Sequence, residues 1–250
     1  MPLVRTAIRA ALATAIVAGP AAAAGIGDMS AEERETFREE VRAYLMDNPE
    51  VLMEAIAVLE DRQAESAAAT DERLVAAHRD ALMDESTSWV GGNPDGDITV
   101  VEFMDYRCGY CRRAHPEVTE LIRSDGNIRY IVKEFPILGE PSLLASRFAV
   151  ATRQVAGDEA YRTIHDALMS FDGEITENSV AALAEEASLD PAPILDAMDD
   201  PEVERIISET RALGQAMGIS GTPSFVFGDQ MVRGYVPLDA MRELVEQERG

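Results

Sequence analysis

The chain has 250 residues and a formal charge of −24, with 46 acidic against 22 basic residues. No basic stripe exists to neutralise phosphates, which argues against a nucleic-acid partner and leaves the acidity to serve solubility. Apolar residues make up 46% of the chain but aromatics only 6%, a balance that favours a helix-rich core over an aromatic β core in one large domain or a domain plus an accessory segment.

The first residues, "MPLVRTAIRAALATAIVAGPAAAAG", carry Arg5 and Arg9, an apolar run from Ala10 to Ala18, and then proline and small residues in an Ala-x-Ala pattern. This is the layout of a secretory signal, with cleavage expected near Ala24. The apolar run is about half the ~20 residues needed to span a bilayer. Cleavage removes two arginines and no acid, leaving 20 basic against 46 acidic residues and a formal charge of −26.

Ser30 and Glu33 in "SAEERETF" have the spacing of a capping box, which predicts a helix start. Phe37, Val41, Tyr44 and Leu45 then make one apolar stripe on a charged helix. Asn48-Pro49 is a capping residue followed by proline and predicts a second helix, whose stripe is Val51, Leu52, Ala55, Ile56 and Leu59. From Asp61 to Asp84 the sequence stays helix-favouring but polar, with little to pack on inside its own chain; "AESAAATD" fits either a hinge or a continuous helix. Narrow stripes on long charged helices predict self-association, the alternative being that these helices lie against the domain that follows.

"SWVGGNPDGD" reads as a linker of successive turns. "ITVVEFM" is a short β-branched run and predicts a buried strand. A helix is expected from about Cys108 to Arg123 with Pro116 inside it, then a strand at "NIRYIVKEF". Residues 141 to 218 read as helices, with Pro141, Asp158, Glu177, Pro191 and Pro201 near their starts. The chain returns to strand at "PSFVFG" and "QMVRG" and closes with a helix from Pro237. The whole predicts an α/β sheet with a helical block inserted between its halves.

Both cysteines lie in "YRCGYC", where a strand feeds directly into the helix that starts near Cys108. The unsatisfied N–H groups and positive dipole end there favour a thiolate, and Cys-x-x-Cys motifs at such positions show first-thiol pKa values of roughly 3.5–7.5. Cys111, one turn later, is the natural resolving thiol. A structural bridge closing so small a loop would stabilise little. Zinc would need two further ligands, and His78, His115 and His165 are scattered along the sequence. His115, at Cys111 plus four, fits either a soft-metal role with the reduced dithiol, Cu(I) above all, or a solvated helix histidine.

"VVEFMDYRCGYC", the helical insertion and "GISGTPSFVFG" resemble the thioredoxin-fold thiol:disulfide oxidoreductases of the DsbA-like group. The resemblance implies an α/β thioredoxin fold with a helical insertion over about residues 137–218, in a catalytic domain of residues 87–250. An all-α N-terminal arm over 25–86 would precede it, after a signal peptide over 1–24. It further implies that Cys108 attacks, Cys111 resolves, and Thr222-Pro223 forms the opposing loop with Pro223 in cis. Gly109, Tyr110 and Thr222 would meet the bound peptide. Glu102 matches an acid that moves the proton of the second cysteine, with Lys133 as its charge partner.

The arm "FREEVRAYLMDNPEVLMEAIAVLEDRQ" resembles the N-terminal segment of the suppressor-of-copper-sensitivity C proteins, ScsC. That likeness implies a homo-oligomer, a trimer by analogy, in the periplasm, with no bound cofactor beyond Cu(I) on the reduced dithiol. Gly-Tyr between the cysteines and threonine before the proline is the combination of the isomerase DsbC. The expected function is thus a disulfide isomerase or reductase acting on misoxidised secreted proteins and kept reduced by a membrane thiol reductase. The alternatives are a DsbA-like oxidase with a membrane oxidase partner, or a copper-binding dithiol protein.

Overall fold

A computed structural model describes residues 29–250, so the signal expected over residues 1–24 lies outside the described residues. The chain forms two compact units, one ending at Glu60 and the other running Asp61–Gly250.

In the first unit, α1 (Ala31–Asp47) opens on the capping box: the Ser30 N–H donates to Glu33 Oε2 at 2.8 Å and the Glu33 N–H to Ser30 Oγ at 3.3 Å. Asn48 does not cap the next helix with its side chain. Its Nδ2 closes α1 instead, donating to the Tyr44 carbonyl at 2.8 Å, and α2 (Glu50–Ala77) begins past Pro49. No residue of α1 is buried, and Phe37, Val41 and Tyr44 stand exposed together with Leu52, Ile56 and Leu59 of α2. "AESAAATD" is continuous helix.

In the second unit, the polar stretch after Asp61 packs more than its composition suggests. Val75 at the end of α2 and Leu82 in the short α3 (Arg79–Leu82) are fully buried, and Arg233 donates to Asp71 at 2.9 Å. The turn-rich linker also proves to contain a strand, β1 (Trp89–Gly92). It is followed by β2 (Ile98–Met104), α4 (Gly109–Asp125) and β3 (Ile128–Glu134). Gly126, in the left-handed region at φ 75°, ends α4.

The insertion is five helices, α5 (Glu140–Ala156), α6 (Asp158–Ser170), α7 (Glu177–Glu186), α8 (Pro191–Ala197) and α9 (Pro201–Ala216). Their starts follow local chemistry: Thr176, Asp190 and Asp200 each cap a helix with a side-chain oxygen, and proline opens α8 and α9. β4 (Ser224–Phe227), β5 (Gln230–Arg233) and α10 (Leu238–Arg249) complete the chain.

The sheet order is β1-β3-β2-β4-β5, with β2 and β3 parallel and every other pairing antiparallel. Alternate residues of each strand point to opposite faces. Val100, Met104, Tyr130, Val132, Phe225 and Phe227 pack in one core with α4 and the insertion. Val101, Phe103, Ile131 and Val226 pack in another with Val75, Leu82, Leu213 and Met217. This is the α/β architecture of the expected thioredoxin fold with its helical insertion, and residues 31–47 and 50–77 are helical.

Candidate redox site

β2, the central strand, ends at Met104, and three residues carry the chain from it to Cys108, the N-cap of α4. Asp105, fully buried, shapes that connection by accepting from four donors. Oδ1 takes the Arg107 N–H and the Ser142 hydroxyl, both at 2.8 Å, and Oδ2 takes the N–H groups of Ile137 and Leu138 at 2.8 and 3.1 Å. One carboxylate thereby fixes the loop before the thiols and the loop after β3.

Cys108 is 8% exposed and Cys111 is fully buried. The peptide bond Thr222–Pro223 is cis, and Cys108 Sγ lies 3.0 Å from the Thr222 carbonyl oxygen, to which it donates only when protonated. Cys108 is held acidic, at about 5, chiefly by the hydrogen bond from the Cys111 thiol, then by Thr222 and the backbone N–H groups of Cys111 and Tyr110, against the opposing effect of burial. Burial, with the hydrogen bond to Cys108 and the nearby Glu102 charge behind it, drives Cys111 far above the ordinary thiol range. One sulfur is therefore a thiolate at neutral pH and the other a protonated thiol, as nucleophile and resolving partner require.

Glu102 is 2% exposed on the face of β2 that carries the Cys111 core. Burial raises its pKa to about 7 although the Tyr130 hydroxyl donates to it. A buried carboxyl titrating near neutrality beside a high-pKa thiol is suited to receive its proton. Lys133 is not its partner. It pairs across the sheet with Phe103, on the opposite face, and Nζ donates to the Ala81 carbonyl at 2.8 Å, with the Asp84 carbonyl and Thr87 hydroxyl each at 3.5 Å. Burial lowers its pKa to about 8.

Gly109 is exposed, and a methyl group there would meet no atom within 4 Å. Tyr110 is 61% exposed, its ring 6.3 Å from that of Tyr235. Tyr235 in turn lies 4.5 Å beneath the Arg113 guanidinium and donates to Glu117 at 2.6 Å. Asp105, Tyr130 and Tyr235 had no sequence signal, because each acts through a neighbour remote in the chain. Among the described residues no helix is long and apolar enough to cross a membrane.

Comparison with known proteins places this arrangement. The thioredoxin-like oxidoreductase from Silicibacter pomeroyi is 43% identical and superposes with a TM-score of 0.65 over 68% of this chain and 97% of that one. BcfH from Salmonella enterica Typhimurium is 29% identical, with a TM-score of 0.73 over 88% and 97%. Among curated proteins, Na(+)/H(+) antiporter NhaA 1 of Salinispora arenicola is 28% identical over 65% of this chain, which spans only 25% of that protein. Residues 33–65 match the copper resistance protein ScsC N-terminal domain. Residues 99–246, more than half of the chain, match the DSBA-like thioredoxin domain, and the protein belongs to that family.

Proposed function

We propose that the protein is a periplasmic thiol:disulfide oxidoreductase whose principal task is to reduce or isomerise wrong disulfides in secreted proteins. The carrying observation is the thiol pair itself, Cys108 depressed to about 5 against the cis-proline loop and Cys111 buried and protonated behind it.

The Cys108 thiolate attacks one sulfur of a client disulfide. A Cys108–client bond forms, the client S–S bond breaks, and the departing client thiolate takes a proton from water. A client thiolate can then attack the client sulfur of the mixed disulfide, which makes a new client pairing and returns Cys108 as thiolate. Alternatively Cys111, giving its proton to Glu102, attacks Cys108 Sγ; the client leaves reduced and the Cys108–Cys111 disulfide remains. A membrane thiol reductase must then restore the dithiol. Gly109, Tyr110 and Thr222 line the approach, and the Thr222 backbone faces the client.

The match of residues 33–65 to the ScsC N-terminal domain and the exposed apolar residues of the first unit support an oligomer that presents several thiolates to one client. The oxidase reading has its own support: stabilising the Cys108 thiolate stabilises the reduced form and so makes the disulfide a better oxidant.

The experiment removes residues 25–60 and compares the two proteins on a scrambled-disulfide substrate and on a reduced one. The isomerase reading expects a monomer that still oxidises thiols but unscrambles at least tenfold more slowly. Fast oxidation with little unscrambling by either protein gives the oxidase reading, and an unchanged unscrambling rate in a monomer removes the oligomer from the mechanism. Full Cu(I) capture by reduced protein with no exchange in either assay gives the copper-binding one.

A further inference from the structure

The side chains of His115 on α4 and of His165 and Asp166, adjacent on α6, converge. His115 Nε2 lies 3.2 Å from Asp166 Oδ1, and the two imidazole centroids are 5.2 Å apart. One ligand atom from each residue lies within 4.8 Å of the others. They share a cavity of about 210 Å³ whose apolar lining includes Trp89, Val118, Ile122 and Tyr130.

His165 is 2% exposed, and a hydrogen-bond chain fixes its tautomer. The Tyr106 hydroxyl donates to Glu134 Oε1 at 2.7 Å, Tyr161 donates to the same oxygen at 2.6 Å, and Ser146 donates to Oε2 at 2.7 Å. The single hydroxyl hydrogen of Tyr106 is thereby committed. Its oxygen, 3.0 Å from His165 Nδ1, accepts from that nitrogen. Burial holds the imidazole neutral, so with the proton on Nδ1 the Nε2 atom carries a free lone pair. Among the described residues Nε2 has no hydrogen-bond partner, although the side chain is buried and lines the cavity. A neutral histidine whose Nδ1–H is held by a tyrosine–carboxylate chain, with Nε2 bare, is the arrangement of a metal ligand with its supporting shell in place.

We propose that His115, His165 and Asp166 bind a first-row divalent transition ion of the zinc type, and that the ion ties the thiol-bearing helix α4 to α6. Two imidazoles and one carboxylate suit zinc, leaving an open fourth position toward the cavity. The set lacks the thiolates that select Cu(I) and the all-oxygen shell that magnesium or calcium requires. Ligand atoms about 2.0–2.2 Å from one ion stand roughly 3.4 Å apart, so side-chain rotations of about an ångström close the site. The cations at the cavity rim are neutralised: Arg123 pairs with Glu120 at 2.8 Å and Arg162 pairs with Glu159.

The full chain with Cys108 and Cys111 oxidised to a disulfide is titrated with Co(II) and, separately, Zn(II), so that the thiols take no part. Trp89 is the one tryptophan, and its ring stacks on His165 with centroids 6.4 Å apart, so it reports the site. The proposal expects Co(II) to quench Trp89 emission with an end point of one ion per chain, zinc to reverse the quench, and zinc to raise the thermal midpoint. His115→Asn and the half-exposed Asp166→Asn should each weaken the quench at least tenfold and abolish the thermal shift. Wild-type affinity in both folded variants, a quench that zinc leaves intact, or weak binding spread over many equivalents would each overturn the site.

Discussion

At the scale of single residues, the two sulfurs differ through burial and through the direction of one hydrogen bond. Cys111 donates to Cys108, which lowers the first pKa and raises the second. Reduced protein should therefore be alkylated at Cys108 with a midpoint near pH 5, the rate rising with pH because the thiolate is the reactive form. In Cys111→Ala the midpoint should move up toward the ~8.5 of an ordinary thiol; an unmoved profile would show that the helix start alone sets it. Glu102 gives a second titration, in stability. Its folded pKa of about 7 lies above the ~4.3 of a free glutamate, so the fold holds a proton that the unfolded chain releases between those values. The stabilising contribution is complete below about pH 4 and is lost as pH rises through 7. Glu102→Gln keeps an acceptor for Tyr130 and cannot ionise. The oxidised variant should exceed wild type by more at pH 8.5 than near pH 5, the two differences being on the order of 2 kcal/mol apart in denaturant unfolding. An equal difference at both pH values would rule out the buried charge as its source.

At the scale of elements, the readable part of the chain was the part governed by local chemistry. The Ser30 box, the prolines and aspartates heading α8 and α9, and the strand running into Cys108 all act within four residues, so the sequence displays them. β1 was illegible because "WVGG" is punctuated like a turn. What makes it a strand is pairing with β3 from Trp89↔Val132 to Gly92↔Arg129 and packing of Trp89 on Tyr161. Lys133 was misassigned for a related reason: the β2–β3 register, which sets Glu102 opposite Val132 and Phe103 opposite Lys133, is not written in either strand alone. The end of α2 and α3 carry the same lesson into energetics. Leu82 lies in a stretch that reads as polar with little to pack on, yet it is fully buried under the sheet with Val75, Phe103 and Ile131. Leu82→Ala should therefore destabilise the catalytic unit by about 2–5 kcal/mol, the range for buried leucines. A loss under 0.5 kcal/mol in urea unfolding would mean that this segment is peripheral. For the same reason a truncation meant to spare the catalytic unit must stop at Glu60; one carried to residue 86 would remove part of its core.

At the scale of the whole molecule, charge and apolar exposure oppose each other in the first unit. Between residues 29 and 60 nine carboxylates stand against three arginines, within a chain of net charge −24, while Phe37, Tyr44, Leu52, Ile56 and Leu59 are all more than 40% exposed. If copies associate through these side chains, burial of apolar area drives the contact at about 25 cal/mol per Å² and like-charge repulsion resists it. The two respond differently to salt. Raising ionic strength from about 0.01 to 0.15 M shortens the Debye length from about 30 to 8 Å and screens the repulsion, while leaving the apolar contact in place. Association should therefore tighten as sodium chloride rises, the reverse of what ion-pair-driven assembly would show. Sedimentation velocity across that range reads it directly. Ile56→Asp, which adds charge and removes apolar area at one exposed position, should give a monomer at every salt concentration with the thermal midpoint of the catalytic unit unchanged. Weaker association at higher salt, or an oligomer that survives Ile56→Asp together with Phe37→Asp, would assign assembly to a different surface and remove the main support for isomerase over oxidase.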